Sequence, residues 1–253
     1  METNLQKKGV WVVIPASGVG SRMQSETPKQ YLSINGKSIL EHTIGRFTSL
    51  SEVAGVLVVV SESDTHWDKL AADIYAQHNL EGVPVLSALG GSERSDTVAK
   101  GLSYLLDVKK INPKQWVMVH DAARPCVREI DILKLLSSRP GISQGGAILA
   151  TPVRDTLKHA DTNKNNTILR TQSRDALWQA QTPQLFRLGD LQASLDKAKQ
   201  AGIPITDEAS SMEYDNKPVL LIEGTSDNIK LTTPADLRII DFLLNDNEKN
   251  NGS

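Results

Sequence analysis

The sequence predicts an α/β fold built on a mostly parallel β-sheet. Short runs of β-branched residues alternate along the chain with segments whose apolar residues recur at helical spacing. This alternation is typical of βαβ units, in which right-handed crossovers place parallel strands side by side. Ligands of such sheets bind at the carboxyl ends of the strands, so we expect functional residues directly after the strands.

Five apolar runs, each flanked by turn or polar residues, predict the buried strands of this sheet. They are Val10–Ile14, Val56–Val60, Trp116–Val119, Ala147–Ala150 and Val219–Ile222. Helices are predicted at 98–106, 130–136 and 237–244, because the apolar residues there recur with a helical period. Strand and helix therefore alternate along most of the chain.

The composition indicates a single globular domain over residues 1–244. The 253 residues are enough to bury a substantial core, and 39% apolar with 23% charged residues is ordinary globular usage. A net charge of -2 argues against a nucleic-acid partner, and no apolar stretch approaches the ~20 residues of a membrane span. Cys126 is the only cysteine, which excludes an intrachain disulfide and indicates a cytoplasmic protein.

Residues 153–176 interrupt the alternation and predict a protruding β-hairpin arm. Two short stretches of alternating polarity flank a polar tip at 161–166. An isolated hairpin is marginally stable in water, so we expect the arm to pack on a second subunit and to join a homodimer. The tail at 245–253 is polar and without periodicity, and it is predicted to be disordered.

The stretch PASGVGSRMQSETPKQ follows the first predicted strand and is a candidate anion-binding loop. Gly18 and Gly20 would let backbone N–H groups converge on an anion, and Arg22 and Lys29 would add positive charge. Pro28 is expected to hold Lys29 on an extended loop. The loop lacks both the three-glycine dinucleotide fingerprint and the Walker A motif. The alternative is a surface turn with two solvated cations.

The stretch VHDAARP places a carboxylate directly after the third predicted strand. Asp121 there suits Mg²⁺, which is held by one or two carboxylates together with substrate phosphates. A helix or turn cap is an equally good interpretation of Asp121 on spacing alone. His120 is expected to pack rather than to ligate. Arg124 could bind phosphate or pair with Asp121.

Two further segments allow a binding interpretation and a capping one. GGSERSDT forms either a turn whose backbone reads a base edge or an ordinary helix start capped by Ser92 or Ser95. Thr206 in ITDEAS is a candidate helix N-cap. Near the C-terminus, Lys230 is expected on a fixed loop ahead of a helix that opens at Pro234.

Eight motifs in order resemble those of the 2-C-methyl-D-erythritol 4-phosphate cytidylyltransferase family of the non-mevalonate isoprenoid pathway. They are PASGVGSRM, TPKQYL, GGSERSDTV, VHDAARPC, PVRDTLK, WQAQTPQLF, ITDEAS and DNIKLTTPADL, between about Val10 and Leu244. The resemblance implies a doubly wound, Rossmann-like nucleotidyltransferase fold and a homodimer joined through the arm. It also implies transfer of CMP from CTP to the acceptor phosphate with Mg²⁺, for which another divalent cation can substitute.

The resemblance assigns roles to individual residues. The implied CTP-binding residues are Ala16, Ser17, Gly18, Gly20, Arg22, Lys29, Gly91, Ser92, Arg94, Thr97, Ala122 and Arg124. The acceptor would contact Thr206 and Lys230 in the cleft and, from the neighbouring subunit's arm and its base, Thr156, Arg174 and Thr182. Asp121 corresponds to the metal ligand, and Asp227 is a candidate second ligand. Ser17 and Ser92 depart from residues frequent in relatives, and neither change removes a catalytic charge.

The implied chemistry is a direct in-line displacement. The acceptor phosphate is already anionic, and the sequence has no obvious Ser/His or Cys/His dyad for a covalent route. Arg22, Lys29 and Lys230 are expected as catalytic cations that relieve the repulsion between two polyanions. Three rivals are a ribitol 5-phosphate cytidylyltransferase, a glycosyltransferase, for which a DxD motif is missing, and a regulatory module that binds CTP without turnover.

Overall fold

The structure is a computed structural model that describes residues 9–18, 27–77, 82–139 and 145–250. A seven-stranded sheet forms its centre, with strand order β11-β7-β10-β6-β1-β4-β5. The strands are β1 (Val10–Pro15), β2 (Ser33–Ile34), β3 (Lys37–Ser38), β4 (Val53–Val60), β5 (Val85–Leu89), β6 (Trp116–Val119), β7 (Gly146–Pro152), β8 (Leu157–Asp161), β9 (Thr167–Gln172), β10 (Trp178–Arg187) and β11 (Val219–Glu223).

The sheet is mostly parallel, as predicted, and β10 is its antiparallel member. All five predicted strands are present, as β1, β4, β6, β7 and β11. β10 pairs antiparallel with β6 on one side and β7 on the other, with an irregular register between Ala180 and Gln184. Because Gln184 lies opposite Val119, the preceding residues of β10 extend past the carboxyl end of β6. This register brings β10 residues beside the loop that follows β6.

Helices cover both faces of the sheet, which confirms the doubly wound arrangement. They are α1 (Ile39–Thr48), α2 (Trp67–Gln77), α3 (Arg94–Ser103), α4 (Glu129–Ser137), α5 (Leu188–Gln200), α6 (Glu208–Tyr214) and α7 (Pro234–Asn250). Alternate residues of β1 face opposite cores, because successive strand side chains point to opposite faces. Val12 packs with α1, α2 and α4, whereas Val13 packs with α3, α5 and α6.

The arm is an antiparallel hairpin formed by β8 and β9, as the sequence predicted. It stands apart from the main sheet, and its residues are largely exposed, including Leu157, Ile168 and Leu169. Whether it joins two subunits stays a prediction.

The C-terminal helix extends further than the sequence predicted. α7 begins at Pro234 as expected and continues to Asn250, beyond the predicted helix end at residue 244. The disorder of the tail stays a prediction. Once a helix is nucleated, each added residue contributes a backbone hydrogen bond at little further cost. Asn245 also donates to the side chain of Asp241 on the preceding turn and accepts from the side-chain amide of Asn35. Over the described ranges, the helices are too short or too polar to cross a membrane.

Candidate active site

A cavity opens where the carboxyl ends of β1 and β6 meet. The loop after β1, the turn after β5 and the loop after β6 form its walls, as expected for a parallel sheet. We call it the first cavity, and its lining residues are Pro15, Ala16, Ser17, Gly18, Lys29, Gln30, Ser92, Arg94, Asp121, Ala122, Ala123 and Lys230. Nine of these are among the predicted site residues, so the fold brings them together, and their roles stay predictions.

A second cavity adjoins the first and shares three of its residues. Its lining is Arg94, Asp121, Arg124, Ala180, Gln181, Thr182, Gln184, Thr206, Asp207 and Lys230. Arg94, Asp121 and Lys230 line both cavities. Two ligands bound side by side would therefore meet at this shared group.

Asp121 is the charge centre of the shared group. Its buried carboxylate accepts hydrogen bonds from Arg94 Nε at 2.9 Å and pairs with Lys230 Nζ at 2.7 Å and Arg124 Nε at 3.6 Å. Burial alone would raise the pKa of Asp121, but Arg94, Lys230 and Arg124 together hold it well below its usual range. Asp121 is therefore ionised. Its carboxylate pairs with three cations instead of capping a helix or a turn.

Glu208 is the site residue that the sequence reasoning missed. It is fully buried at the start of α6, and its oxygens accept from Arg94 Nη1 at 2.7 Å and Nη2 at 3.0 Å. Burial lowers the pKa of Arg94, but Glu208 and Asp121 more than offset this and raise it. The motif ITDEAS contains Glu208, but an acidic residue in a first helical turn has an ordinary interpretation as a dipole partner. Only the fold shows that it faces Arg94.

Lys29 reaches the first cavity from a short 3₁₀ turn. Pro28 has an extended backbone, but Lys29 begins the turn Lys29–Tyr31, so the expectation of an extended loop there is wrong. Proline fixes only its own φ and restrains the residue before it, which leaves the following residues free to turn. Lys29 Nζ donates to the carbonyl of Leu231 at 2.8 Å, next to Lys230.

The loop after β1 and the turn after β5 are joined by Thr97. Its buried hydroxyl lies 2.6 Å from Ser17 Oγ and accepts from the N–H of Gly91 at 3.2 Å. A Cβ on Gly91 would lie 2.4 Å from the Cβ of Asp96, so only glycine permits this close approach. α3 begins at Arg94 with Glu93 as N-cap, and neither serine caps it. Thr97 and Gly91 therefore support the wall of the first cavity from behind.

His120 packs in the core, as the sequence predicted. Its ring is fully buried, lies edge-on to Phe47, and contacts the carbonyl of Arg124 and the hydroxyl of Thr182. Burial lowers the pKa of His120 to about 4, so the ring is neutral at neutral pH. It holds the loop that carries Asp121.

Comparison with known proteins identifies the family. A model of the 2-C-methyl-D-erythritol 4-phosphate cytidylyltransferase family matches residues 10–246. The chain belongs to this family. It is 46% identical over 233 residues to the cytidylyltransferase of Vibrio vulnificus, covering 92% of this chain and 93% of that protein. It is 44% identical to that of Vibrio atlanticus over 98% of this chain and all of that protein.

Solved structures of relatives have the same fold. A crystal structure of 4-diphosphocytidyl-2C-methyl-D-erythritol synthase is 38% identical and superposes with a TM-score of 0.78, covering 94% of this chain and 100% of that one. The cytidylyltransferase of Francisella tularensis is 30% identical, with a TM-score of 0.75 over 93% of this chain and 99% of that one. The predicted nucleotidyltransferase fold is confirmed, and the chain shares it along nearly its whole length.

Three acceptor residues predicted from the cytidylyltransferase resemblance line the second cavity, and Thr182 is the one whose placement differs from the expectation; they are Thr182, Thr206 and Lys230. Thr182 was expected at the base of a neighbouring subunit's arm, whereas its buried hydroxyl accepts from the N–H of Asp121 in the same chain. The antiparallel register of β10 places it there. Thr206 lines the cavity but caps nothing, since Asp207 is the N-cap of α6 in a capping box with Ser210.

The remaining predicted residues lie away from the two cavities or outside the described ranges. Thr156 and Arg174 are exposed on the arm, where Arg174 donates to the carbonyl of Arg154. The predicted CTP-binding residues Gly20 and Arg22 lie outside the described residues. The structure thus brings together the cleft residues and leaves the arm residues at a distance from the cleft of their own chain.

The residues of the cleft fit a nucleotide-bound Mg²⁺ through one carboxylate. Within the described ranges, no three His, Cys, Asp or Glu side chains converge as a protein-built metal site. Mg²⁺ needs only one or two carboxylates when phosphates complete its shell. Asp121 fits, because it is ionised and its Oδ1 accepts a single hydrogen bond, from Arg94. Asp227 instead pairs with Arg128 and is not a described lining residue of either cavity.

Proposed function

We propose that this protein transfers a cytidylyl group from CTP to the phosphate of 2-C-methyl-D-erythritol 4-phosphate and releases pyrophosphate. The observation that supports this most is the shared group of Arg94, Asp121 and Lys230 between two adjoining cavities. In a chain of this family, the first cavity suits the nucleotide and the second suits the acceptor. The two reacting phosphates would then meet at the shared group.

The cleft carries the charge that such a reaction needs. Four cationic side chains line the two cavities against three carboxylates, those of Asp121, Asp207 and Glu208, which leaves a net positive charge for polyanions. The cations are Lys29, Arg94, Arg124 and Lys230. The obstacle to reaction is repulsion between the two anions and the growth of charge on the leaving pyrophosphate. Cations that are fixed in place before the reaction stabilise this charge as it develops. Such electrostatic stabilisation, together with positioning, is the main source of catalysis in phosphoryl-type transfers.

The chain's own residues act by binding and orientation. The acceptor phosphate is ionised at neutral pH, so its oxygen attacks the α-phosphate without a general base. Lys29 projects into the first cavity and Lys230 stands between both, where it can hold an oxygen of the acceptor beside the nucleotide. The α-phosphate–pyrophosphate bond breaks as the new phosphate–oxygen bond forms, in line. Arg22 is proposed as a further cation of the loop after β1.

Asp121 would hold Mg²⁺ or another divalent cation together with the triphosphate. The ion would neutralise phosphate charge and orient the α-phosphate. The proposal rests on the low pKa of Asp121 and on its place at the lining of both cavities.

The arm is proposed to join a homodimer and to carry Thr156 and Arg174 to the neighbouring subunit's acceptor. Its exposed apolar residues Leu157, Ile168 and Leu169 support this, because a hairpin gains stability by burying such side chains. The one cysteine, Cys126, is free and buried, which supports a cytoplasmic location.

The test is pyrophosphate release from CTP and Mg²⁺ with three parallel acceptors. These are 2-C-methyl-D-erythritol 4-phosphate, ribitol 5-phosphate and none. We expect release with the first alone. Release only with ribitol 5-phosphate would keep the chemistry and reassign the acceptor. Absence of release with either acceptor would contradict the proposed reaction.

A further inference from the structure

Glu208 is a fully buried carboxylate whose role the reaction described above does not explain. It binds the fork of Arg94 through both oxygens, at 2.7 and 3.0 Å. A buried ion pair of this kind adds little net stability, because the desolvation of two charges cancels most of their attraction. Stability is therefore a weak reason for placing it beside the cleft.

Arg94 bridges two carboxylates in different ways. Its Nη1 and Nη2 donate to Glu208, whereas only its Nε donates to Asp121, at 2.9 Å to Oδ1. A guanidinium prefers to bind a carboxylate with two parallel hydrogen bonds, which is its strongest geometry. Glu208 occupies this fork, so Asp121 receives a single bond from the side of the guanidinium.

How Arg94 distributes its hydrogen bonds between Glu208 and Asp121 determines which lone pairs of Asp121 remain for another ligand. Asp121 Oδ2 already pairs with Lys230 at 2.7 Å. Each oxygen of Asp121 thus has a close cation, and Oδ1 keeps a lone pair beside its single bond from Arg94 Nε. If Arg94 were released from Glu208, its fork could turn to Asp121, and a second N–H could take that lone pair. A divalent ion would then have to displace a hydrogen bond of Arg94.

We propose that Glu208 is a positioning residue that keeps Asp121 available to a nucleotide-bound divalent cation by holding the fork of Arg94. The proposal rests on the proposed function for its choice of ligand. Residues that orient a metal ligand typically change metal affinity about 10–100-fold when they are replaced. Glu208 acts through Arg94 and is not among the lining residues of the first or the second cavity.

The test compares the binding of Mn²⁺–CTP with the binding of CTP in the absence of metal, the latter by calorimetry, in wild type, Glu208→Gln and Glu208→Asp. Mn²⁺ is titrated with CTP present and the acceptor absent, and water proton relaxation separates the protein-bound complex from Mn²⁺–CTP in solution. Glu213→Gln, an exposed change on the same helix, is the matched control. The Mg²⁺ dependence of pyrophosphate release is measured on the same proteins.

Glu208→Gln is expected to weaken Mn²⁺–CTP binding about tenfold or more and to raise the half-saturating Mg²⁺ concentration equally. The control should match wild type. The affinity for CTP without metal should fall much less than the affinity for Mn²⁺–CTP, because Glu208 acts on the metal ligand through Arg94. Glu208→Asp, whose carboxylate is one methylene shorter, should show the same selective loss to a smaller degree. A merely structural role predicts an equal loss with and without metal.

Two outcomes would overturn the proposal: unchanged Mn²⁺–CTP affinity in Glu208→Gln, or an equal loss of affinity for CTP with and without metal. If Glu208→Gln does not fold, Glu208→Asp decides alone, and the absence of a selective loss of Mn²⁺–CTP affinity there contradicts the proposal. Failure of the proposed function is a separate result, since it is the absence of pyrophosphate release by wild type with any acceptor.

Discussion

At the scale of a residue, Lys29 is expected to contribute directly to the rate of the reaction. It lines the first cavity, and its Nζ is held by the carbonyl of Leu231. Removing one preorganised donor typically costs about 10²–10³ in rate. We expect Lys29→Ala to lower kcat by that order, measured by pyrophosphate release, with an unchanged circular dichroism spectrum. Lys37→Ala, an exposed change nearby, is the control, and near-normal kcat in Lys29→Ala would remove it from the mechanism.

Asp236 gives a prediction about pH and stability. Burial raises the pKa of its carboxyl, but hydrogen bonds from Thr232 and Thr233 more than offset this, so the pKa is lowered. A lowered pKa in the folded state means that the stabilisation is present above the usual carboxyl pKa and is lost as the pH falls below it and through the lowered folded-state pKa. At pH 7, Asp236→Asn should lower the free energy of unfolding by about 1 kcal/mol, because Asp236, the third residue of α7, accepts from the N–H groups that precede the helix.

The difference between Asp236→Asn and wild type should shrink as the pH approaches 3, which urea denaturation at several pH values measures. Asp241→Asn, an exposed change on the same helix, is the control and should show a smaller effect at pH 7. A difference for Asp236→Asn that is equal at pH 7 and pH 3 would contradict the assignment.

At the scale of elements, Thr97 on α3 connects the loop after β1 to the turn after β5. Thr97→Val keeps the shape but removes the hydroxyl that contacts Ser17 and accepts from the N–H of Gly91. The unpaired groups should cost about 1–3 kcal/mol of stability. Because both segments line the first cavity or support it, KM for CTP should rise with little change in the acceptor KM.

Ser194→Ala is the matched control for Thr97→Val. Ser194 is fully buried on α5, and its hydroxyl bonds Asp215 at 3.0 Å. It should lower stability without changing KM for CTP, and both variants are compared by urea denaturation and steady-state kinetics. If Thr97→Val lost stability and kept its KM for CTP, the connection between the two segments would not matter for nucleotide binding.

The strands that the sequence predicted are those whose apolar composition indicates burial. β1, β4 and β6 are valine-rich apolar runs, and both faces of each are buried. β10 was missed, because Pro183 and several glutamines argue against a central strand. The irregular register between Ala180 and Gln184 accommodates the proline. β5 was missed because VLSAL is only half buried at the sheet edge.

The same reasoning explains what could be predicted of the site. Asp121 and Lys29 were found because they follow strands of a parallel sheet, and the topology brings such residues together. Glu208 lies 114 residues from its partner Arg94, and nothing in the local sequence marks it as paired. The position of Thr182 required the register of β10, which depends on pairing with two distant strands. Local sequence patterns do not show such contacts between distant segments.

At the scale of the whole molecule, the arm raises the question of whose site Arg174 serves. Arg174 is exposed on the arm, while Lys230 lies in the cleft. If the arm crosses to the partner subunit, each active site combines the cleft of one chain with the arm of the other. Arg174→Ala should then raise the acceptor KM more than the CTP KM, and Ile168→Lys on the arm should yield monomers in analytical ultracentrifugation.

Mixed dimers of two defective variants test whether each active site combines the cleft of one chain with the arm of the other. Arg174→Ala has an intact cleft and a damaged arm, and Lys230→Ala has the reverse. A mixed dimer would hold one complete site, built from the cleft of the first and the arm of the second, and one site with both defects. After unfolding and refolding together in equal amounts, half of the dimers are mixed, so about a quarter of the sites should be complete.

Pyrophosphate release at limiting acceptor should recover to about that fraction of wild type, whereas the same mixture without refolding should not. Activity that stays at the level of the separate variants after refolding would show that each arm serves its own chain or no site at all.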